Sequence, residues 1–179
     1  MGPPLGRWRA VTGSLTVVEH SIDPVVEPAE MRRVMGHFAS GVTIVTGLDD
    51  GEPVGFACQS FTSVSLDPPL VLFCPAHTSS TWPRIRAAGA FSVNVLAEDQ
   101  TELCLRFATS GGDKFAGLDW HETPWGPSLD GVLATVHCTV EAVHPAGDHD
   151  VVIGRVQELV THREVGPLLF FKGSFGLET

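Results

Sequence analysis

The sequence predicts a mainly β protein with peripheral helices, folded as a closed or split β-barrel. In its C-terminal third apolar and polar residues alternate, and turn signals join neighbouring strands as hairpins. The helical segments are short and do not form the regular β-α-β repeat of parallel sheets. With 179 residues and no linker between two apolar regions, the chain is the size of one domain, predicted over residues 28–179. Residues 1–27, rich in proline and glycine, are predicted to be a flexible leader or a lid over a neighbouring subunit.

The domain is predicted to begin with an amphipathic helix over residues 28–40. Pro28 is tolerated in a first helical turn, and Gly41 follows as a stop. The apolar residues of this segment recur at helical spacing: Met31, Val34, Met35 and Phe38. A hairpin comes next, because Asp49-Asp50-Gly51 is a turn signal between strand 42–48 and strand 53–60.

Short strands and helices alternate in the middle of the chain. The predicted elements are strand 70–74, helix 79–88, strand 91–96, helix 98–108 and a long loop over residues 109–131. Asp67-Pro68-Pro69 cannot be helical and introduces the first strand, and Gly89 ends the first helix. A loop as long as 109–131 in a compact domain is more often functional than idle.

The C-terminal third is predicted to be all strand. From Ala134 to Ala142 every second residue is apolar, which is typical of a half-buried antiparallel strand. The residues between them form its polar face: Thr135, His137, Thr139 and Glu141. Residues 145–148 supply a turn, strand 151–160 returns, and strand 167–171 completes the set.

Charge and cysteine content restrict the partners and the compartment. Eleven basic residues against twenty-one acidic ones give a formal net charge of −10, which disfavours nucleic acid and anionic membranes as partners. No apolar run in the N-terminal segment is long enough for a signal or membrane segment. The four cysteines are widely spaced and are predicted to be free thiols in a reducing cytoplasm.

Familiar nucleotide, hydrolase and metal motifs are missing from the sequence. No GxGxxG follows a strand, and neither GxxxxGK[ST] nor GxSxG is present. The eight histidines do not fall at tight metal-ligand spacings, so no metal site is predicted. Any nicotinamide nucleotide would therefore bind without the usual glycine-rich turn.

Uncharged polar side chains are concentrated in residues 57–65. This stretch contains Gln59, Ser60, Thr62, Ser63 and Ser65, and it lies beside Phe56 and Phe61. An apolar stretch with neutral donors suits a flat heterocycle with a polar edge, such as a flavin. The alternative is an edge strand and turn whose hydroxyls bond their own backbone.

Two further clusters are candidate ligand contacts. Four consecutive hydroxyls at a predicted helix start, residues 78–81, offer side-chain and backbone donors to a phosphate, or else cap the helix and bind nothing. His149, in the turn Gly147-Asp148-His149-Asp150, is a candidate for orienting a nicotinamide carboxamide or a flavin edge; the alternative is a solvated turn histidine.

In their order along the chain these residues resemble the short-chain flavin reductase family, the reductase partners of two-component flavin-dependent monooxygenases. The resemblance spans about residues 28–176. The matching segments are Met31 with 36–46, then 55–61, 63–71, 91–96, Arg106-Phe107, 113–117, and Gly147-Asp148-His149 followed by Gly154.

The resemblance implies a split-barrel homodimer that binds FMN or FAD and takes electrons from NADH, the favoured donor, or NADPH. The implied flavin residues are Ala57, Cys58, Gln59, Ser60, Ser63, Val64, Ser65, Ser79, Ser80, Thr81, Asn94, Arg106, Phe107, Lys114 and Phe115. The implied nicotinamide residues are His149, Phe171, Lys172, Gly173 and Phe175.

The function expected from the sequence is NAD(P)H-dependent reduction of a flavin that then diffuses to a partner monooxygenase. Transfer from nicotinamide to flavin needs no protein nucleophile, so we expect no acid or base residue; His149 only positions the nicotinamide. One alternative is a split-barrel oxidase that retains its flavin, against which the low count of basic residues argues. The other is a non-catalytic flavin- or haem-binding barrel.

Overall fold

A seven-stranded antiparallel sheet dominates the computed structural model of the protein, which describes residues 26–176. The strands are β1 Ser40–Gly41, β2 Thr43–Asp49, β3 Glu52–Cys58, β4 Thr62–Leu66, β5 Pro69–Phe73, β6 Ala90–Val95, β7 Trp120–His121, β8 Ser128–Leu129, β9 Ala134–Ala146, β10 His149–Thr161, β11 Leu169–Phe171 and β12 Ser174–Phe175. The helices are α1 Pro28–Met35, α2 Trp82–Ala88 and α3 Thr101–Ala108. The large sheet has the order β3-β2-β6-β9-β10-β5-β4, and its edges do not pair with each other. This open sheet with short helices confirms the predicted fold class.

The predicted hairpins form at the predicted places. Asp50 and Gly51, between β2 and β3, both have positive φ, as a tight hairpin turn requires. Gly147, at a φ of 64°, turns the chain between β9 and β10. The stretch that was predicted to be either an edge strand or a flavin contact contains β4, which pairs with β5 at the edge of the sheet.

The first helix is shorter than predicted, and its apolar face is not covered. α1 ends at Met35, and the following residues turn into β1, whose Ser40 pairs with Phe170 of β11. All four apolar residues of the predicted face are partly or largely exposed, up to 75% for Phe38. The helical spacing was therefore correct over one face of α1, but no described part of this chain buries that face.

Two hydrophobic clusters form the core. One contains Phe73, which makes edge-to-face contacts with Phe91 and Trp82 at centroid distances of 5.1 and 5.5 Å. The other contains Phe107 and Phe115, whose rings also meet edge to face, at 5.1 Å. Such pairs add specific aromatic contacts to the burial of apolar area.

The polar face predicted for β9 is buried over its first half, which corrects the expectation of a half-buried strand. Thr135 and His137 are almost fully buried because the segment 123–129 folds over them. The His137 Nδ1 lies 2.8 Å from the Ser92 hydroxyl, and the Trp125 ring packs on the imidazole at 5.1 Å. Burial lowers the pKa of His137, so the fold favours its neutral form.

Neither a membrane-crossing helix nor a metal-ligand cluster occurs in the described residues. Within 26–176, every helix is too short or too polar to cross a membrane. In the same residues, no three His, Cys, Asp or Glu side chains converge as ligands of a metal ion would.

Candidate functional site

A single large cleft gathers most of the predicted site residues. Its volume is about 990 Å³, at the upper end of the range for small-molecule pockets. It is bounded by β3 with the two residues that follow it, by the loop before α2, by the end of α3 with the loop after it, by His149, and by β11 and β12. The predicted residues that line it are Ala57, Cys58, Gln59, Ser60, Ser79, Ser80, Thr81, Phe107, Lys114, Phe115, His149, Gly173 and Phe175.

Ser60 joins the two strand ends on one side of the cleft. Its hydroxyl oxygen accepts a 2.8 Å bond from the Cys74 amide and lies 3.3 Å from the Cys58 sulfur. The Cys58 carbonyl in turn accepts a 2.9 Å bond from the Thr43 hydroxyl. Burial raises the pKa of the Cys58 thiol, so this wall of the cleft carries a neutral sulfhydryl.

The hydroxyl-rich loop, residues 78–81, supplies neutral donors to the cleft. Ser79 accepts a 3.1 Å bond from the Trp82 amide and so serves as a cap for α2. Within the part of the chain that the structure describes, the Ser80 and Thr81 side chains make no hydrogen bond to protein atoms. Their hydroxyls are therefore available to a ligand, and together they suit a phosphate without a basic patch.

Lys114 brings a partly desolvated cation to the cleft. Its ammonium donates to the carbonyls of Phe107 at 3.0 Å and Gly55 at 3.4 Å, at the end of α3 and on β3. Burial lowers its pKa. Arg84 also lines the cleft, but its guanidinium is engaged by Asp49 at 2.6 Å. The Lys114 ammonium still has an N–H donor for a ligand, because the two carbonyls occupy only two of its three N–H groups.

His149 enters the cleft from the start of β10. Its Nδ1 lies 2.7 Å from the Asp148 carboxylate, which lowers the pKa of Asp148. With Nδ1 bonded to a carboxylate, Nε2 is the ring atom left for a ligand. The same cleft is lined by Phe170 and Phe175, whose rings meet at 5.3 Å.

The structure places the remaining predicted residues outside the cleft. They are Ser63, Val64 and Ser65 on the edge strand β4, Asn94, Arg106, Phe171 and Lys172. Asn94 is fully buried and holds the 123–129 segment, accepting a 2.8 Å bond from the Leu129 amide. Arg106 donates to the Ala116 carbonyl at 3.0 Å, and the Lys172 ammonium lies 5.1 Å above the Phe171 ring.

Several cleft residues were not among the predicted site residues. Cys74 and Phe170 line it, as do Gly111 and Gly112 of the loop after α3. The length of the 109–131 loop was the signal for the two glycines. The predicted aromatic residue was Phe171, but Phe170 lines the cleft. Neighbouring residues of a strand point to opposite faces, so an error of one residue moves the side chain out of the cleft.

These features define a class: a split-barrel protein whose cleft has the size and the hydrogen-bond donors for a nucleotide with a flat ring. A family model described as "Flavin reductase like domain" matches residues 35–177. The chain therefore belongs to the flavin reductase-like family and is an oxidoreductase of the flavin reductase type.

Individual relatives are similar over almost their whole length. The reductase subunit HsaB of a flavin-dependent monooxygenase from Rhodococcus jostii is 53% identical over 170 residues, covering 94% of this chain and 85% of the relative. The FMN reductase (NADH) SmoA of Agrobacterium fabrum is 42% identical over 160 residues, covering 88% and 91%. A solved structure of the Streptomyces globisporus NADH:FAD oxidoreductase SgcE6, in complex with NAD and FAD fragments, superposes with a TM-score of 0.79 at 34% identity, covering 88% and 98%.

Proposed function

We propose that this protein reduces FMN or FAD with NADH, or with NADPH, and releases the reduced flavin to a separate flavin-dependent monooxygenase. The observation that carries the proposal is the arrangement of one cleft, in which free hydroxyls at Ser80 and Thr81 share the cavity with the imidazole of His149. A nucleotide phosphate and a second ring thus find donors in the same space.

The residues of the cleft fit a flavin. We assign the ring and ribityl chain to Ala57–Ser60 and to the Phe107 and Phe115 pair, and the phosphate to Ser79–Thr81. Lys114 supplies positive charge to the ring's polar edge, where a partly desolvated cation acts more strongly than one in water. Bound flavin supplies the electron-accepting ring; the protein binds it, orients it and limits solvent around it.

His149 is assigned to the nicotinamide nucleotide, together with Gly173 and Phe175. In the tautomer whose Nδ1–H donates to the Asp148 carboxylate, Nε2 is an acceptor for the NH₂ of the carboxamide. That bond fixes the ring's rotation, and orientation is what this reaction requires of the protein. No general acid or base is assigned.

We also propose a homodimer in the cytoplasm. The apolar face of α1 is exposed at Met31, Val34 and Met35, and Phe38, just after the helix, is exposed as well. These residues support a second copy as their cover, because exposed apolar clusters mark association surfaces. The cysteines Cys58, Cys74, Cys104 and Cys138 are free thiols, as in reducing compartments. The proposed leader, 1–27, lies outside the described residues except for its last two positions.

A steady-state assay tests the function. Purified protein is freed of flavin and supplied with NADH or NADPH, with and without excess FMN or FAD, and nicotinamide oxidation is followed. We expect oxidation only when free flavin is added, at a rate that saturates with flavin. Turnover with substoichiometric, tightly retained flavin would instead support an oxidase, and binding without turnover a storage barrel.

A further inference from the structure

Asp150 lies just behind the cleft and joins the two walls to which different ligands are assigned. Asp150 is 8% exposed. One carboxylate oxygen accepts a 2.9 Å bond from the Trp82 indole N–H, and the other lies 3.0 Å from the His77 Nε2. The Arg86 guanidinium lies 3.9 Å from the first of these oxygens. The Trp82 hydrogen bond is the main cause of the lowered pKa of Asp150.

The partners of Asp150 flank the hydroxyl-rich loop at both ends. His77 precedes Thr78, and Trp82 follows Thr81 as the first residue of α2. Asp150 itself directly follows His149 on β10. The Asp150 carboxylate therefore contacts both ends of the segment assigned to the flavin phosphate. The residue assigned to the nicotinamide, His149, directly precedes Asp150 in the chain.

Backbone bonds reinforce this connection. The Asp150 amide donates to the Pro75 carbonyl at 3.0 Å, and the His77 amide donates to the Asp148 carbonyl at 2.9 Å. Ala76 and His149 form an antiparallel bridge between them. The loop's entry is thus paired as a short ladder with the start of β10, and the side chain of Asp150 extends this pairing to the loop's exit at Trp82.

We propose that Asp150 is a positioning residue that sets the distance between the flavin phosphate site and His149. A proposal of this kind rests on the proposed function, because it uses the two ligand assignments of the cleft. A buried carboxylate is costly unless it is fully hydrogen-bonded, and its loss leaves the Trp82 donor without a partner. Removing the carboxylate therefore releases the loop's exit at Trp82 from β10, while the backbone ladder still holds its entry. The distance between the flavin phosphate site and His149 is then no longer fixed.

The test compares Asp150→Ala and Asp150→Asn with the wild type. For each we measure the Kd for oxidised FMN by fluorescence titration, the KM for NADH, kcat, and the midpoint of thermal unfolding. We expect Asp150→Ala to raise both the FMN Kd and the NADH KM about tenfold, which corresponds to about 1.4 kcal/mol at each site. Asp150→Asn keeps an oxygen for Trp82 and recovers part of both.

Two control variants separate positioning from general loss of stability. Glu141→Gln removes the negative charge from the exposed 2.7 Å pair with Arg155 on the same hairpin and should leave Kd and KM unchanged. Gly154→Ala destabilises the sheet without touching the cleft, so it should lower the unfolding midpoint alone. An Asp150→Ala protein that behaves like Gly154→Ala, with a lower midpoint and wild-type Kd and KM, overturns the proposal.

A further variant keeps the proposal testable should Asp150→Ala not fold. His77 is partly exposed, so His77→Ala removes one of the bonds to the carboxylate with little effect on the core. It should raise the FMN Kd and the NADH KM together; wild-type values for both would overturn the proposal. Wild-type protein that fails to reduce added flavin would overturn the proposed function instead, so the two failures are distinguishable.

Discussion

The side chains of the cleft differ in how much hydrogen-bonding capacity the protein itself uses. Ser60 is committed to Cys74, and Arg84 is committed to Asp49, so both shape the cleft. Ser80 and Thr81 keep their hydroxyls for a ligand, and His149 keeps Nε2. Recognition of the ligand is therefore concentrated in a few side chains that the fold positions but whose hydrogen-bonding groups the protein does not use.

Replacing His149 should separate the two ligands. In His149→Ala we expect the NADH KM to rise at least fivefold, because about 1 kcal/mol of hydrogen bonding to the nicotinamide is lost. The FMN Kd should change less than twofold, since the phosphate and ring contacts lie on other elements. Steady-state kinetics and FMN titration check this, and equal loss in both would contradict the role of His149.

The β9–β10 hairpin is the longest element and carries both structural and ligand-binding residues. It runs from Ala134 to Thr161 and has register shifts at Ile153/Gly154 and Val156/Glu158. At the first shift, the absence of a side chain on Gly154 lets the Phe91 ring approach: a Cβ there would lie 2.5 Å from the Phe91 Cζ. The hairpin thus packs the core at Gly154 and presents His149 next to its turn, at the start of β10.

Gly154→Ala should therefore be destabilising. Phe91 is fully buried and packed on Phe73, so it has no free space into which to move. We expect a loss of about 1–3 kcal/mol in the free energy of unfolding, as for other overpacked cores. Denaturant titration measures this loss. Gly41→Ala is the matched control, because a Cβ at Gly41 meets no atom within 4 Å and should leave the free energy nearly unchanged.

Local signals were enough to predict the hairpins, the hydroxyl-rich loop and His149 at the cleft, because turn chemistry and spacing are read from neighbouring residues. The burial of Thr135 and His137 was not predictable in this way. It depends on the 123–129 segment returning over β9, a contact between residues distant in sequence. The resemblance to the family placed Asn94 in the flavin site, and the sequence alone did not show its partners across the fold, such as the Leu129 amide.

At the scale of the molecule, charge and exposed apolar area act in opposite directions. A net charge of −10 keeps molecules apart. The uncovered face of α1, by contrast, favours association at one place. The proposed homodimer would reconcile the two, because it covers the apolar face and leaves the charged surface outside.

Phe38→Asp should weaken this dimer. Phe38 is 75% exposed within one chain, so the substitution costs the monomer little, but it places a carboxylate in the proposed interface. Light scattering after size exclusion should give twice 19.1 kDa for the wild type and a shift towards 19.1 kDa for the variant. A wild-type mass of 19.1 kDa at micromolar concentration would contradict the dimer.

The burial of the thiols has a consequence for survival during turnover. Reduced flavin that meets oxygen before it reaches an oxygenase yields hydrogen peroxide, so a flavin reductase works beside an oxidant of its own making. Peroxide attacks thiolates far faster than thiols. Burial raises the pKa of Cys58 and Cys104, and that of Cys138 to about 12. These three sulfurs stay protonated at neutral pH, and the enzyme is thereby protected at these positions from its own by-product.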